Sequence, residues 1–229
     1  MKAASLTLRV SALAVMLIAA TLNGFVPLAP IAPADAATPS DGEISVLFVG
    51  GDLVVGTCNG MADTKAPWRD DVLSELMQDY IVSAVGTQWG PTSGCYIHPD
   101  RSHEGYPGQT ADQLLPTLQA SLPNVVGVPD VVVLVAGSED LVANQDVAST
   151  KADLQALLSE LSTTYPSASQ IVASLPAVNG TDPAALNSEI ADLASTNSAT
   201  LLDFNTGVDL LADGSFFSTA GASTVADRT

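Results

Sequence analysis

The stretch DVVVLVAG, residues 130–137, carries five successive apolar side chains, Val131 to Val135, with no polar residue among them. A strand with one wet face alternates. An unbroken run is what a central parallel strand needs, because helices cover both of its faces. Similar short runs flank it at regular intervals: ISVLFV (44–49), YIVSAVG (80–86), QIVASLP (170–176) and TLLDF (200–204). Helical patterns lie between them. Leu154, Leu157, Leu158 and Leu161 fall on one face of a helix that Tyr165-Pro166 stops, and Val72, Leu73, Leu76, Met77 and Tyr80 repeat the spacing after Trp68. In TDPAALNSEIADLAST, Asp182 reads as the N-cap and Pro183 as the first helical residue, with Leu186, Ile190 and Leu193 turned inward. Strand and helix in alternation predict a three-layer α/β/α sandwich around a five-stranded parallel sheet, with the flavodoxin-like order 2-1-3-4-5. In such a sheet the site lies at the carboxyl ends of the strands, so the loops after Val49, Gly86, Ala136 and Phe204 are the ones that matter.

The N-terminal residues have a different character. Lys2 and Arg9 precede the apolar run SALAVMLIAATL, and a Pro/Ala-rich stretch ends in Ala34-Asp35-Ala36. That order predicts a secretory signal peptide over 1–36, a linker over 37–43 and a single domain over 44–229. An exported protein without a stable membrane span after cleavage is the expectation. Of seven basic and 25 acidic residues, Lys2, Arg9 and Asp35 fall in the leader, leaving five against 24 in the mature chain. Nucleic acid and anionic lipid are poor partners for that surface, and a monomer is expected. Cys58 and Cys95 fall in the exported part, where an oxidising compartment permits a disulfide between them. Two cysteines and two histidines make no zinc signature, and no metal or cofactor is expected.

Four stretches resemble the blocks of the SGNH hydrolases, also called GDSL esterases and lipases, in their carbohydrate-esterase-like branch. FVGGDLVVGT resembles the first block, a strand leading into Gly-Asp-Ser. VGTQWGPTSGCYIHPDRSHEGYPGQT is similar to the second, PDVVVLVAGSEDL to the third, which normally ends Gly-Thr-Asn-Asp-Leu, and DGSFFSTAG to the last, normally Asp-Gly-x-His-Pro. The resemblance implies an ester hydrolase fold and assigns positions: Leu53 for the nucleophile, Gly108 for an oxyanion-hole amide, Glu139 for the oxyanion asparagine, Asp213 for the triad acid and Phe216 for the base.

Three of those five cannot do the chemistry. Leucine has no attacking atom, phenylalanine takes no proton, and a carboxylate in an oxyanion hole repels the charge it should stabilise. Leu53 and Phe216 would instead fill the old cleft with hydrocarbon. The reading that follows is a secreted pseudoenzyme that binds carbohydrate or a cell-surface partner, through Asp52, His103, Trp89 and Tyr106 with Tyr96, Phe216 and Phe217 on the same rim. The alternative is an active esterase or lipase with a rearranged centre, drawing on Ser138, Ser215 or Ser218 with His98 or His103. A glycosidase pair with Glu139 as its acid needs a second carboxylate nearby. Asp52, Glu139, Asp140 and Asp213 would suit a hard cation if they converged, though turn and helix-cap roles are the plainer reading. Trp68 and Arg69 read as packing residues, and Asn179-Gly180-Thr181 fits a glycosylation sequon.

Overall fold

The computed structural model describes residues 42–56, 68–90, 99–208, 210 and 217–226. Strand β1 (Glu43–Gly50) runs into a four-residue helix, α1 (Asp52–Val55), then α2 (Trp68–Leu76) and β2 (Ile81–Val85). Next come β3 (Gln88–Trp89), β4 (Ser102–Gly105), α3 (Ala111–Ser121), β5 (Val131–Val135), α4 (Ser138–Val142), α5 (Val147–Thr164) and β6 (Ser169–Ala173). The described chain ends with α6 (Ala184–Thr196), β7 (Thr200–Leu202) and α7 (Thr219–Ala226).

All five expected strands form, in the expected order. β1 lies between β2 and β5, followed by β6 and β7, every pair parallel. Val132 to Val135 are buried at consecutive positions, so both faces of the sheet are covered. The helices fall into two contacting groups, α2 with α7 and α3 with α5 and α6, one for each face. Two strands lie outside the expectation. β4 takes over the edge of β1 where β2 leaves off, pairing Val49 with Glu104 and Gly50 with Gly105, and β3 adds antiparallel to β4. The SHEG segment, where no strand is expected from the sequence, is therefore a strand. It carries His103 and Glu104 into the interior, with no apolar pattern to mark it.

Other boundaries move for local reasons. α2 stops at Leu76, and Met77 and Tyr80, expected on its inner face, are 51% and 43% exposed. α6 takes Pro183 as its N-cap, one residue later than expected, while the Asp182 carboxylate accepts from the Ala184 amide at 2.9 Å. Phe217, expected on the exposed rim, is buried edge-on against Phe204, with ring centroids 5.6 Å apart. Phe204 in turn meets Trp68 at 4.9 Å, and Trp68 meets Phe48 at 5.3 Å. This aromatic series joins the last helix to β1 through the core. Among the described residues no helix is long and apolar enough to cross a membrane.

Candidate functional site

The turn after β1 is built by close approach. A Cβ on Gly50 would stand 1.8 Å from the Val135 carbonyl oxygen, so only glycine lets β1 and β5 come together there. α1 is too short to satisfy its own carbonyls. The next helix does it: Trp68 Nε1 donates to the Leu53 carbonyl at 2.8 Å and Arg69 Nε to that of Val54 at 2.6 Å. Arg69 reaches on to the Gly90 carbonyl at 3.0 Å. Both side chains are fully buried, in the packing role expected of them.

With α1 held this way, Leu53 and Asp52 point in different directions. Leu53 is 1% exposed and belongs to the core. Asp52 faces a cavity of about 330 Å³ at the carboxyl ends of β1 and β5. Leu53 therefore does not plug the cleft, contrary to the sequence expectation, because the first turn of α1 rotates it inward. Glu139 and Ser138, from the start of α4, line the same cavity, as do Gly108, Thr110 and Gln113 around the start of α3. Val142, Ala143, Val178 and Asn179 complete the wall.

The polar groups bond to one another. The Asp52 amide donates to Glu139 Oε1 at 2.7 Å, and the Gly108 amide donates to Asp52 Oδ1 at 3.1 Å. Ser138 Oγ donates to Glu139 Oε2 at 2.6 Å. The Glu139 carboxylate presses on the turn itself, since a Cβ on Gly51 would lie 2.1 Å from Oε1. Burial pushes the Glu139 carboxyl above its ordinary range, against the pull of its hydrogen bonds. Asp140, its neighbour, points elsewhere: Oδ2 accepts from the Ala111 amide at 2.9 Å and ties α4 to the start of α3.

Of the described residues proposed to bind, only Asp52 lines the cavity. His103 is buried, with Nδ1 accepting from the Gly105 amide at 2.9 Å, and burial reinforced by the Arg69 guanidinium pulls it down to about 3. It is a neutral structural imidazole, outside the lining of the cavity. The Tyr106 hydroxyl donates a hydrogen bond to Oε2 of the buried Glu104 at 2.6 Å. Trp89 is 59% exposed on β3, with the Arg101 guanidinium 5.3 Å from its ring centroid. Ser218 Oγ accepts from the Gly221 amide at 3.0 Å in the first turn of α7. Cys58, Cys95, Tyr96, His98, Asp213, Ser215 and Phe216 lie outside the described residues. Among the described residues no three His, Cys, Asp or Glu side chains come together as a metal-ligating group.

No protein-family model matches the chain, and no curated protein does. Solved structures do. A family 3 carbohydrate esterase of Clostridium thermocellum superposes with a TM-score of 0.66 over 81% of this chain and 92% of its own, at 24% identity. The chain has an SGNH hydrolase-like fold. A serine-to-alanine mutant of an acetyl esterase with acetate ion gives a TM-score of 0.68 at 20% identity, covering 81% of this chain and 93% of that one. A lipase/acylhydrolase from Enterococcus faecalis gives 0.59 at 17% identity, covering 80% and 92%. Of the two residues at this turn, Asp52 lines the cavity and Leu53 is buried in the core.

Proposed function

We propose that this SGNH-fold protein is exported, has lost serine-ester hydrolysis, and uses the cavity to bind carbohydrate or a cell-surface partner. The observation that carries the proposal is the state of two backbone amides at the cavity, those of Asp52 and Gly108. An oxyanion hole works by presenting free, aimed donors to developing negative charge, and loss of one donor costs about 3 to 4 kcal/mol. Here the Asp52 amide is taken by Glu139 and the Gly108 amide by Asp52. An incoming acyl oxygen meets two carboxylates of the protein's own instead. The serine is replaced as well, and losing a hydrolase's nucleophile or base costs on the order of 10⁶ in turnover. The leader-like N-terminus supports export.

A second reading rests on Ser138. Its hydroxyl lines the cavity and bonds Glu139 Oε2, so a Ser138–Glu139 pair is the one rearranged centre that the described residues bring together. Hydrolysis of p-nitrophenyl acetate and acetylated xylan by the purified protein separates the two. We expect rates equal to buffer. Sustained turnover that disappears in Ser138→Ala would establish the second reading and overturn the first.

A further inference from the structure

We propose that the cavity has reversed its hydrogen-bonding polarity: it takes a ligand that presents hydrogen-bond donors, the hydroxyls of a sugar or a protonated amine, where an ester hydrolase would take an acyl oxygen. This rests on the loss of ester hydrolysis proposed above and names the ligand chemistry of the same site.

The argument is one of inventory. The two backbone donors at the turn are consumed within the protein. Two acceptor-only carboxylates now stand in the cavity wall. Asp52 Oδ1 takes the Gly108 amide, and Oδ2 accepts nothing from any other described residue. Asp52 is half-buried, within reach of solvent and therefore of ligand. The walls also hold side chains of mixed character: Gln113 can donate and accept, while Val142 and Val178 give apolar contact. About 330 Å³ is room for a single small ring rather than a polymer segment. Among the described residues no Lys or Arg lines the cavity, and a chain with 25 acidic and seven basic residues places it in a negative field. A ligand that offers only acceptors, such as acetate, would leave Asp52 and Glu139 facing like charge. One that offers hydroxyl or ammonium protons satisfies them.

The test is saturation-transfer NMR on the full chain with three probes: glucosamine, glucose and acetate. We expect transfer to glucosamine, to glucose or to both, and none to acetate. Transfer to both sugars identifies hydroxyl recognition, and transfer to glucosamine alone identifies the ammonium. In D52S/E139N the amides are released, so acetate should gain a signal while the sugar signals fall several-fold. Asp52→Asn, a smaller change, turns one acceptor oxygen into a donor and should weaken the sugar signals several-fold if the double variant does not fold. Transfer to acetate from the unaltered chain, silence from both sugars, or sugar signals unmoved by Asp52→Asn would overturn the proposal. Each of those results leaves the absence of ester hydrolysis standing, because that is read separately with p-nitrophenyl acetate.

Discussion

At the scale of single residues, two neighbouring glycines show how the turn sorts substitutions. The Cβ of Gly50→Ala would meet a backbone carbonyl of β5, which cannot move without parting the sheet. We expect a loss of several kcal/mol in urea denaturation. The atoms nearest the Cβ of Gly51→Ala belong to the end of the Glu139 side chain, which can swing aside, so its loss should be smaller than that of Gly50→Ala. Ionisation gives two further expectations of opposite sign. His103 is lowered on folding, so the unfolded chain takes up a proton below 6.5 while the folded chain does not. Stability present above 6.5 is thus lost as pH falls toward 3, by about 1.4 kcal/mol per pH unit. His103→Asn, which keeps an acceptor for the Gly105 amide, should flatten that limb when stability is compared at neutral and mildly acid pH. Glu139 is raised on folding, so its ionisation opposes folding as pH climbs past the ordinary carboxylate range. Glu139→Gln should gain stability relative to the parent on going from acid to neutral pH, and a constant difference across that range would contradict the assignment. The sequence held Asp52, Glu139 and Gly108 in plain view, but it did not say which of Asp52 and Leu53 faces the cavity. That depends on a rotation of about 100° per residue at the start of α1, which only the direction of the side chains reveals.

At the scale of elements, the turn is held by α2. Trp68 and Arg69 close the carbonyl end of α1, and their aromatic and guanidinium groups pack over Phe48. Arg69→Met leaves the Val54 and Gly90 carbonyls buried without that donor, and at about 1 to 3 kcal/mol for each such group the loss should be large. Trp68→Phe keeps the ring packing and gives up one hydrogen bond, a loss of about 1 kcal/mol. Denaturant unfolding that ranks the two the other way would show that packing, rather than carbonyl satisfaction, secures α1. The main strands were legible because short apolar runs at regular intervals, separated by helical spacing, have few other readings. β3 and β4 were not. They span two and four residues, and β4 buries a histidine and a glutamate, so neither length nor hydrophobicity announces a strand. Glu104 is tolerated inside because the Thr87 amide and the Tyr106 and Ser121 hydroxyls all donate to it, an arrangement that exists only once the sheet has formed.

At the scale of the whole molecule, a chain of net charge −18 is self-repulsive. Screening shortens the reach of that repulsion from about 30 Å at 0.01 M salt to about 8 Å at 0.15 M. The melting temperature should therefore rise with sodium chloride over this interval, and a flat or falling trend would mean that attractive pairs dominate instead. The sandwich and its strand order followed from alternation alone, while the content of the site did not, because a fold preserves positions and leaves their chemistry free to change. The central claim is that this cavity no longer attacks acyl groups. Intact-mass analysis of the purified chain after exposure to a fluorophosphonate probe tests it most directly. We expect the mass to remain unchanged, and a stoichiometric adduct mapped to Ser138 or any other cavity serine would contradict the account.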